Sequence, residues 1–170
     1  MAALAVAASL ATAGCGAGEP QKGAPVPVPP RPAGTGPLTK DVVRADVEGA
    51  LKAADAPPDE REFAERIEKE MLLGCAVYYK GFGDGEHPAD LALYEAVVDG
   101  LGERAWRFAK NGNQYEAVNP QEVFKQRGWT LVAEFRSGVG DGEGTLGVVA
   151  YDDACMEKTG LRDKVRDPVG

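Results

Sequence analysis

The carboxylates that could do chemistry lie in two glycine-rich segments of similar sequence. Residues 81–86 read GFGDGE, and residues 138–143 read GVGDGE. Carboxylates on such loops are ligands that calcium prefers, but neither segment has the spacing of an EF-hand loop. Glycine with aspartate is also what a solvated tight turn requires. We predict solvated turns without a cofactor, with a weak calcium site as the alternative. The side chains concerned are Asp84, Glu86, Asp141 and Glu143.

The same carboxylates could serve hydrolysis if two of them faced each other across a cleft. A general acid needs a raised pKa, which requires burial that glycine-flanked loops do not provide. The one histidine, His87, precedes Pro88 and is expected to be a polar residue at a helix start. The sequence has no nucleophile elbow, P-loop or dinucleotide fingerprint. We therefore expect a protein that is not an enzyme, with a hydrolase as the alternative.

The chain starts with an uncharged, alanine-rich run, residues 1–14. Its length suits the core of a secretory signal and is too short for a membrane-spanning helix, which needs about 20 residues. The run ends in LATAGC at residues 10–15. These residues resemble the lipobox of bacterial lipoproteins, in which the chain is cut before the cysteine and the thiol takes a diacylglycerol. The resemblance implies a lipid anchor on Cys15, with an ordinary signal peptide or an Ala/Gly tail as the alternatives.

Residues 16–38 are rich in glycine, proline and alanine and include the run GAPVPVPPRP. This composition has too little apolar bulk to offset the entropy of ordering, so it predicts a disordered spacer with polyproline-II bias. We predict that the spacer holds a single compact domain, residues 39–170, away from the membrane.

Later segments extend the resemblance over most of the chain. They read YEAVV at residues 94–98, RGWTL at 127–131 and DDAC at 152–155. Together with the start of the chain, they resemble small secreted lipoproteins of high-GC actinobacteria. That family offers no activity to carry over, so the resemblance implies only a location on the outer face of the cell membrane.

Two cysteines remain if Cys15 carries the lipid. Cys75 and Cys155 are then an even pair in an oxidising location, and we predict a disulfide between them. Closing a loop of about 80 residues would stabilise the fold by roughly 4–5 kcal/mol before any strain. The alternative is a buried free thiol at Cys75.

The hydrophobic pattern predicts a two-layer α+β domain with a mainly antiparallel sheet and helices packed on it. One or two helices come first, capped by Thr39 and Asp59. From Leu72 onward the order is strand, helix, strand, strand, helix, strand, strand, whose first six elements have the ferredoxin-like βαββαβ order, plus one extra strand. The first two predicted elements are a central strand at 72–79 and a helix near Pro88, with Leu91, Tyr94, Val98 and Leu101 on one face of the helix. A hairpin of 105–109 and 114–118 around Asn111-Gly112 follows, and then a short helix that begins at Asn119 and is closed by Gly128. The last predicted element is a hairpin of 129–136 and 145–152.

Both tryptophans follow an arginine and a small residue. Each triplet predicts a helix end followed by a strand, where a large flat side chain fills the joint. Trp106 and Trp129 are therefore expected in the core, with ligand-facing aromatics as the alternative.

The balance of charge bears on partners. The chain has 19 basic and 27 acidic side chains, a net charge of −8, which disfavours nucleic acid and anionic lipid headgroups. We expect a lipid-anchored cell-envelope protein whose non-catalytic acidic domain binds a protein or an envelope component. A secreted hydrolase of envelope polymers that uses the acidic turns, and a secreted enzyme inhibitor, are the alternatives.

Overall fold

A computed structural model describes residues 35–60, 74–112, 118–138 and 144–160 of the chain. Within these ranges the chain forms five strands and three helices. In chain order they are α1 (Lys40–Ala53), β1 (Ala76–Phe82), α2 (Leu91–Glu103), β2 (Arg107–Asn111), β3 (Gln121–Gln126), β4 (Trp129–Arg136), β5 (Thr145–Asp152) and α3 (Asp153–Lys158).

The five strands form one sheet in the order β1-β5-β4-β3-β2, and every neighbouring pair is antiparallel. From β2 to β5 each strand pairs with the next in the chain, which short connections allow. The first strand, β1, instead pairs with the last, β5, so the connection from β1 to β2 passes through α2. The predicted α+β class with an antiparallel sheet is confirmed.

The ferredoxin-like order is wrong, because the helix predicted from Asn119 to Gly128 is strand β3. Arg127 and Gly128 form a two-residue turn between β3 and β4, with φ of 41° and 82°. Two successive positive φ values characterise a type I′ hairpin turn, whose twist matches that of the strands it joins. Gly128 therefore serves a hairpin and does not end a helix.

Two further predictions about the strands are wrong. β1 lies at an edge of the sheet, although its apolar run predicted a central strand. The strand that pairs with β2 begins at Gln121 and not at Gln114, so the connection after Asn111 runs over residues 112–120 and is longer than predicted. Residues 113–117, which carry most of the predicted partner strand, lie outside the described ranges.

Helices α1 and α2 pack on one face of the sheet and form the main core with it. The Thr39 hydroxyl accepts the N–H of Val42 at 3.4 Å and caps α1 as predicted. The Asp90 carboxylate caps α2 by accepting the N–H of Leu93 at 2.8 Å, so α2 begins after Pro88. Leu91, predicted on the apolar face of α2, is 39% exposed.

The folded part also includes the end of the predicted spacer. Leu38 is buried, and its N–H donates to the carbonyl of Arg127 at 3.2 Å. The guanidinium of Arg127 donates to the carbonyl of Gly36 at 2.7 Å. Residues 36–38 therefore pack against the turn between β3 and β4.

Helix α2 ends in a left-handed residue that is not glycine. Ala105 has a φ of 65°. Its N–H donates to Gly102, and that of Trp106 donates to Leu101, at 2.9 and 3.1 Å. These are the two hydrogen bonds of a Schellman motif, which favours glycine at this position.

We predict that Ala105→Gly raises the free energy of unfolding by roughly 0.5–1 kcal/mol. The left-handed conformation costs alanine about 1–2 kcal/mol, and the extra chain entropy of glycine offsets about 0.5–1 kcal/mol of that gain. The matched control is Ala96→Gly, an exposed position in the middle of α2, which should lower stability by about 1 kcal/mol. Urea unfolding of both variants measures the difference, and a destabilised Ala105→Gly variant would contradict the prediction.

Candidate functional site

The acidic turn that contains Asp84 is held by its own backbone. The Asp84 carboxylate accepts the N–H groups of Glu86 and His87 at 2.8 and 2.7 Å. Both hydrogen bonds lower the pKa of Asp84 below its usual value, and the one from His87 has the larger effect. Asp84 and Glu86 are both exposed. Asp84 therefore stabilises a solvated turn. Its pKa is lowered, whereas a catalytic acid needs a raised pKa.

Asp141 and Glu143 of the second acidic segment lie outside the described residues, as does Cys15. Among the residues that are described, no three histidine, cysteine or acidic side chains are grouped so that they could hold a metal ion. None of the helices in those parts of the chain is both long enough and apolar enough to cross a membrane.

The disulfide predicted between Cys75 and Cys155 is present, with the two Cα atoms 5.5 Å apart across a sequence separation of 80. Cys75 directly precedes β1, and Cys155 lies in α3, which follows β5. Both cysteines belong to a small cluster with Ala76 and Met156, separate from the main core. The covalent bond therefore ties the start of β1 to the helix after its partner strand.

The two tryptophans are core residues, 3% and 2% exposed. The indole N–H of Trp106 donates to the carboxylate of Asp46 at 3.1 Å. That of Trp129 donates to the carbonyl of Leu38 at 2.8 Å. The alternative of ligand-facing aromatics does not fit this burial, since neither ring is open to a ligand.

A buried polar cluster joins α1 to the end of α2. The acidic side chain of Asp46 and the basic side chain of Arg104 are 0% and 1% exposed. The guanidinium of Arg104 donates to the carbonyl of Gly100 at 2.8 Å. It also lies so close to Gly49 that a Cβ there would be 2.8 Å from Nη2. Because solvent does not reach this cluster, its role is to hold the two helices together.

A hydroxyl, an amine and a carboxylate also meet on the sheet face opposite α1 and α2. Thr130 donates to Asp153 at 2.6 Å, and the Lys125 ammonium lies 3.3 Å from the same carboxylate and contacts the Thr130 hydroxyl. A nucleophilic threonine must be reachable by a substrate, but Thr130 is 2% exposed. The group instead ties α3 to β3 and β4.

The two edges of the sheet differ sharply. At β1, the N–H of Lys80 donates to the Asp59 carboxylate at 3.0 Å, and the carbonyl of Lys80 accepts the N–H of Glu60 at 2.9 Å. The Tyr79 hydroxyl donates to the carbonyl of Pro57 at 2.9 Å. Residues 57–60 therefore protect the β1 edge around Lys80, and Asp59, predicted as a helix cap, bonds to this strand. Residues 61–73, where that helix was predicted, lie outside the described ranges.

At the other edge, all five residues of β2 are exposed. Phe108 is 57% exposed and meets Phe124 of β3 edge-on, with ring centroids 6.2 Å apart. We call the exposed side chains Arg107, Phe108 and Lys110, with the backbone of β2, the β2 edge. It is the most open surface that the described residues place on the sheet.

A register shift decides which way these side chains point. Arg107 pairs with Lys125 and Lys110 with Val123, with an irregularity between Phe108 and Lys110. Because Lys125 and Val123 lie two residues apart on one strand, they share a face, so Arg107 and Lys110 share it too. Simple alternation would put Arg107 and Lys110 on opposite faces, so the sequence pattern could not show this basic pair.

Comparison with protein families, with curated proteins and with solved structures gave no match. Of the groups described here, the buried polar cluster and the Lys125–Thr130–Asp153 group stabilise the fold. The β2 edge has no comparable role in the packing, which makes it the candidate functional surface.

The two tryptophan hydrogen bonds allow a matched comparison. We predict that Trp106→Phe costs more stability than Trp129→Phe, although both lose the same volume. A hydrogen bond to a charged group contributes about 1.5–3 kcal/mol and one to a neutral carbonyl about 0.5–1.5 kcal/mol. Urea unfolding of both variants measures the difference. Equal losses of unfolding free energy would contradict the prediction, because they would show that the hydrogen bond to Asp46 stabilises the fold no more than the one to the Leu38 carbonyl.

Proposed function

We propose that this protein is a lipid-anchored component of the cell envelope whose acidic domain binds a protein partner outside the cytosol. In this proposal the lipid is carried by Cys15, and residues 16–35 form the spacer. The domain acts by binding and not by catalysis. The observation that supports the binding part is the β2 edge, a strand of five exposed residues with a large aromatic side chain on it.

The disulfide supports the location. Such bonds persist in oxidising compartments and are rare where thiols are kept reduced. Cys75 and Cys155 are the only cysteines besides Cys15, so the pairing leaves that one thiol for the lipid. A single acyl chain holds a protein on a membrane only marginally, whereas the two chains of a diacylglycerol anchor it stably.

The geometry of the acidic side chains favours binding over hydrolysis. Asp84 is exposed, and its pKa lies below the usual value, so it would be a poor proton donor at neutral pH. Burial does raise the pKa of Glu122 on β3. That carboxyl faces the helix layer near Tyr94, whose hydroxyl is buried and whose pKa is raised by burial and by Glu122. A glycosidase needs two carboxyl groups across an open cleft, whereas among the described residues Glu122 is the one carboxyl whose pKa burial raises.

Mass spectrometry of the mature protein from its native host tests the proposal. We predict a chain that begins at Cys15 and carries a diacylglycerol there. A thiol-alkylating reagent should not label Cys75 or Cys155 unless a reductant is added first. The control is Cys15→Ala, which should lose the lipid and keep the disulfide. An unprocessed chain in the cytosol with all thiols free would contradict the proposal.

A further inference from the structure

We propose that the β2 edge takes a sixth strand from its partner, an extended protein segment in which acidic and apolar residues alternate. The inference rests on the proposed binding function and names its surface and the chemistry of its partner. A polypeptide is the occupant because only a backbone offers the regular N–H and carbonyl groups that extend a sheet.

The first argument is that β2 has room for another strand. It pairs with β3 on one side and ends the sheet on the other. Its five residues are all exposed, whereas the opposite edge strand has its backbone groups at Lys80 bonded to Asp59 and Glu60. An edge strand normally needs protection against pairing with other chains. At β1 residues 57–60 supply that protection around Lys80, whereas no described residue bonds to the outer side of β2, whose protection is limited to its register shift and its basic side chains.

The second argument comes from charge on one face. Arg107 and Lys110 point to the face opposite α1 and α2, and neither has an ion-pair partner among the described residues. They stand beside Lys125 of β3 in a chain whose net charge is −8. Acidic side chains on that face of an added strand would lie next to these cations, and opposite charges on neighbouring strands attract.

The third argument comes from the other face. Phe108 pairs with Phe124 and Asn111 with Glu122, so all four point towards the helix layer. Phe108 is still 57% exposed there, and an apolar side chain on the added strand would cover it. Because side chains of a strand alternate between faces, the partner that satisfies both faces alternates acidic and apolar residues.

A second copy of this chain fits less well. Pairing two antiparallel β2 strands would bring the Arg107 and Lys110 side chains of both copies onto one face. Like charges on neighbouring strands destabilise a pair. The same cations that disfavour self-association attract an acidic segment, which gives the edge its specificity.

The probe is a capped nine-residue peptide of alternating glutamate and valine, added to the full chain with its disulfide formed. Two-dimensional NMR should show shifts confined to β2 and β3, and amide exchange in β2 should slow. The charge reversal Arg107→Glu with Lys110→Glu should weaken binding about tenfold and should favour a lysine–valine peptide instead. The matched control is Lys52→Glu with Lys158→Glu, which makes the same change in net charge on α1 and α3 and should bind like the original.

Phe108→Thr is a second test that keeps a strand-forming residue and the charges, and it should also weaken binding of the glutamate peptide. The proposal is overturned if the peptide does not bind, if both charge reversals act alike, if the shifts lie elsewhere, or if β2 pairs only with a second copy. Such a result would overturn peptide binding at β2 and would not bear on the lipid at Cys15. Conversely, the absence of the lipid would contradict the proposed anchored location and would not bear on peptide binding at β2.

Discussion

The pairing of β1 with β5 is the interaction on which the rest of the fold depends. It joins the first and last strands of the sheet, with Ala76 opposite Tyr151, so it closes most of the domain into one loop. Such long-range pairing costs loop entropy before it yields contacts. The disulfide between Cys75 and Cys155 spans the same loop and limits the freedom of the unfolded chain. Once β1 is held there, α2 must cross the sheet to reach β2, and it forms the helix layer with α1.

That arrangement leaves the two edges of the sheet in different states. β1 is held by the disulfide, by Asp59 and by the backbone of Glu60. Among the described strands β2 pairs only with β3, and it lies farthest from the disulfide in the strand order. Its register shift and its two cations are the usual devices that stop an edge from pairing with any chain. Phe108 is exposed on the same edge, and in the proposed complex it and the two cations together would favour one kind of partner.

Much of the fold could be predicted from local patterns. The last hairpin has the predicted bounds, Trp129–Arg136 and Thr145–Asp152, because long apolar runs separated by glycines leave few alternatives. The disulfide followed from the count of cysteines. The helix predicted at β3 was wrong because Asn119-Pro120 with Glu122 also resembles a helix start, and pairing with β4 overrides that local preference.

The β2 edge could not be predicted in the same way. Whether a strand is at an edge depends on the strand order, and β1 was predicted as central from its apolar run. The shared face of Arg107 and Lys110 depends on a register shift that only the partner strand reveals. The acidic turns, by contrast, stood out in the sequence, and the one that is described uses its Asp84 carboxylate to form the turn itself.

The two edges of this sheet differ, because the described residues protect β1 around Lys80 and leave β2 open. Amide hydrogen exchange of the free protein, measured residue by residue by NMR, tests this difference most directly. We expect Lys80 and its neighbours in β1 to exchange slowly, at rates close to those of β4 and β5. The amides of β2 that face away from β3 should exchange at least about tenfold faster. Equal protection at both edges, or faster exchange at β1, would contradict the account.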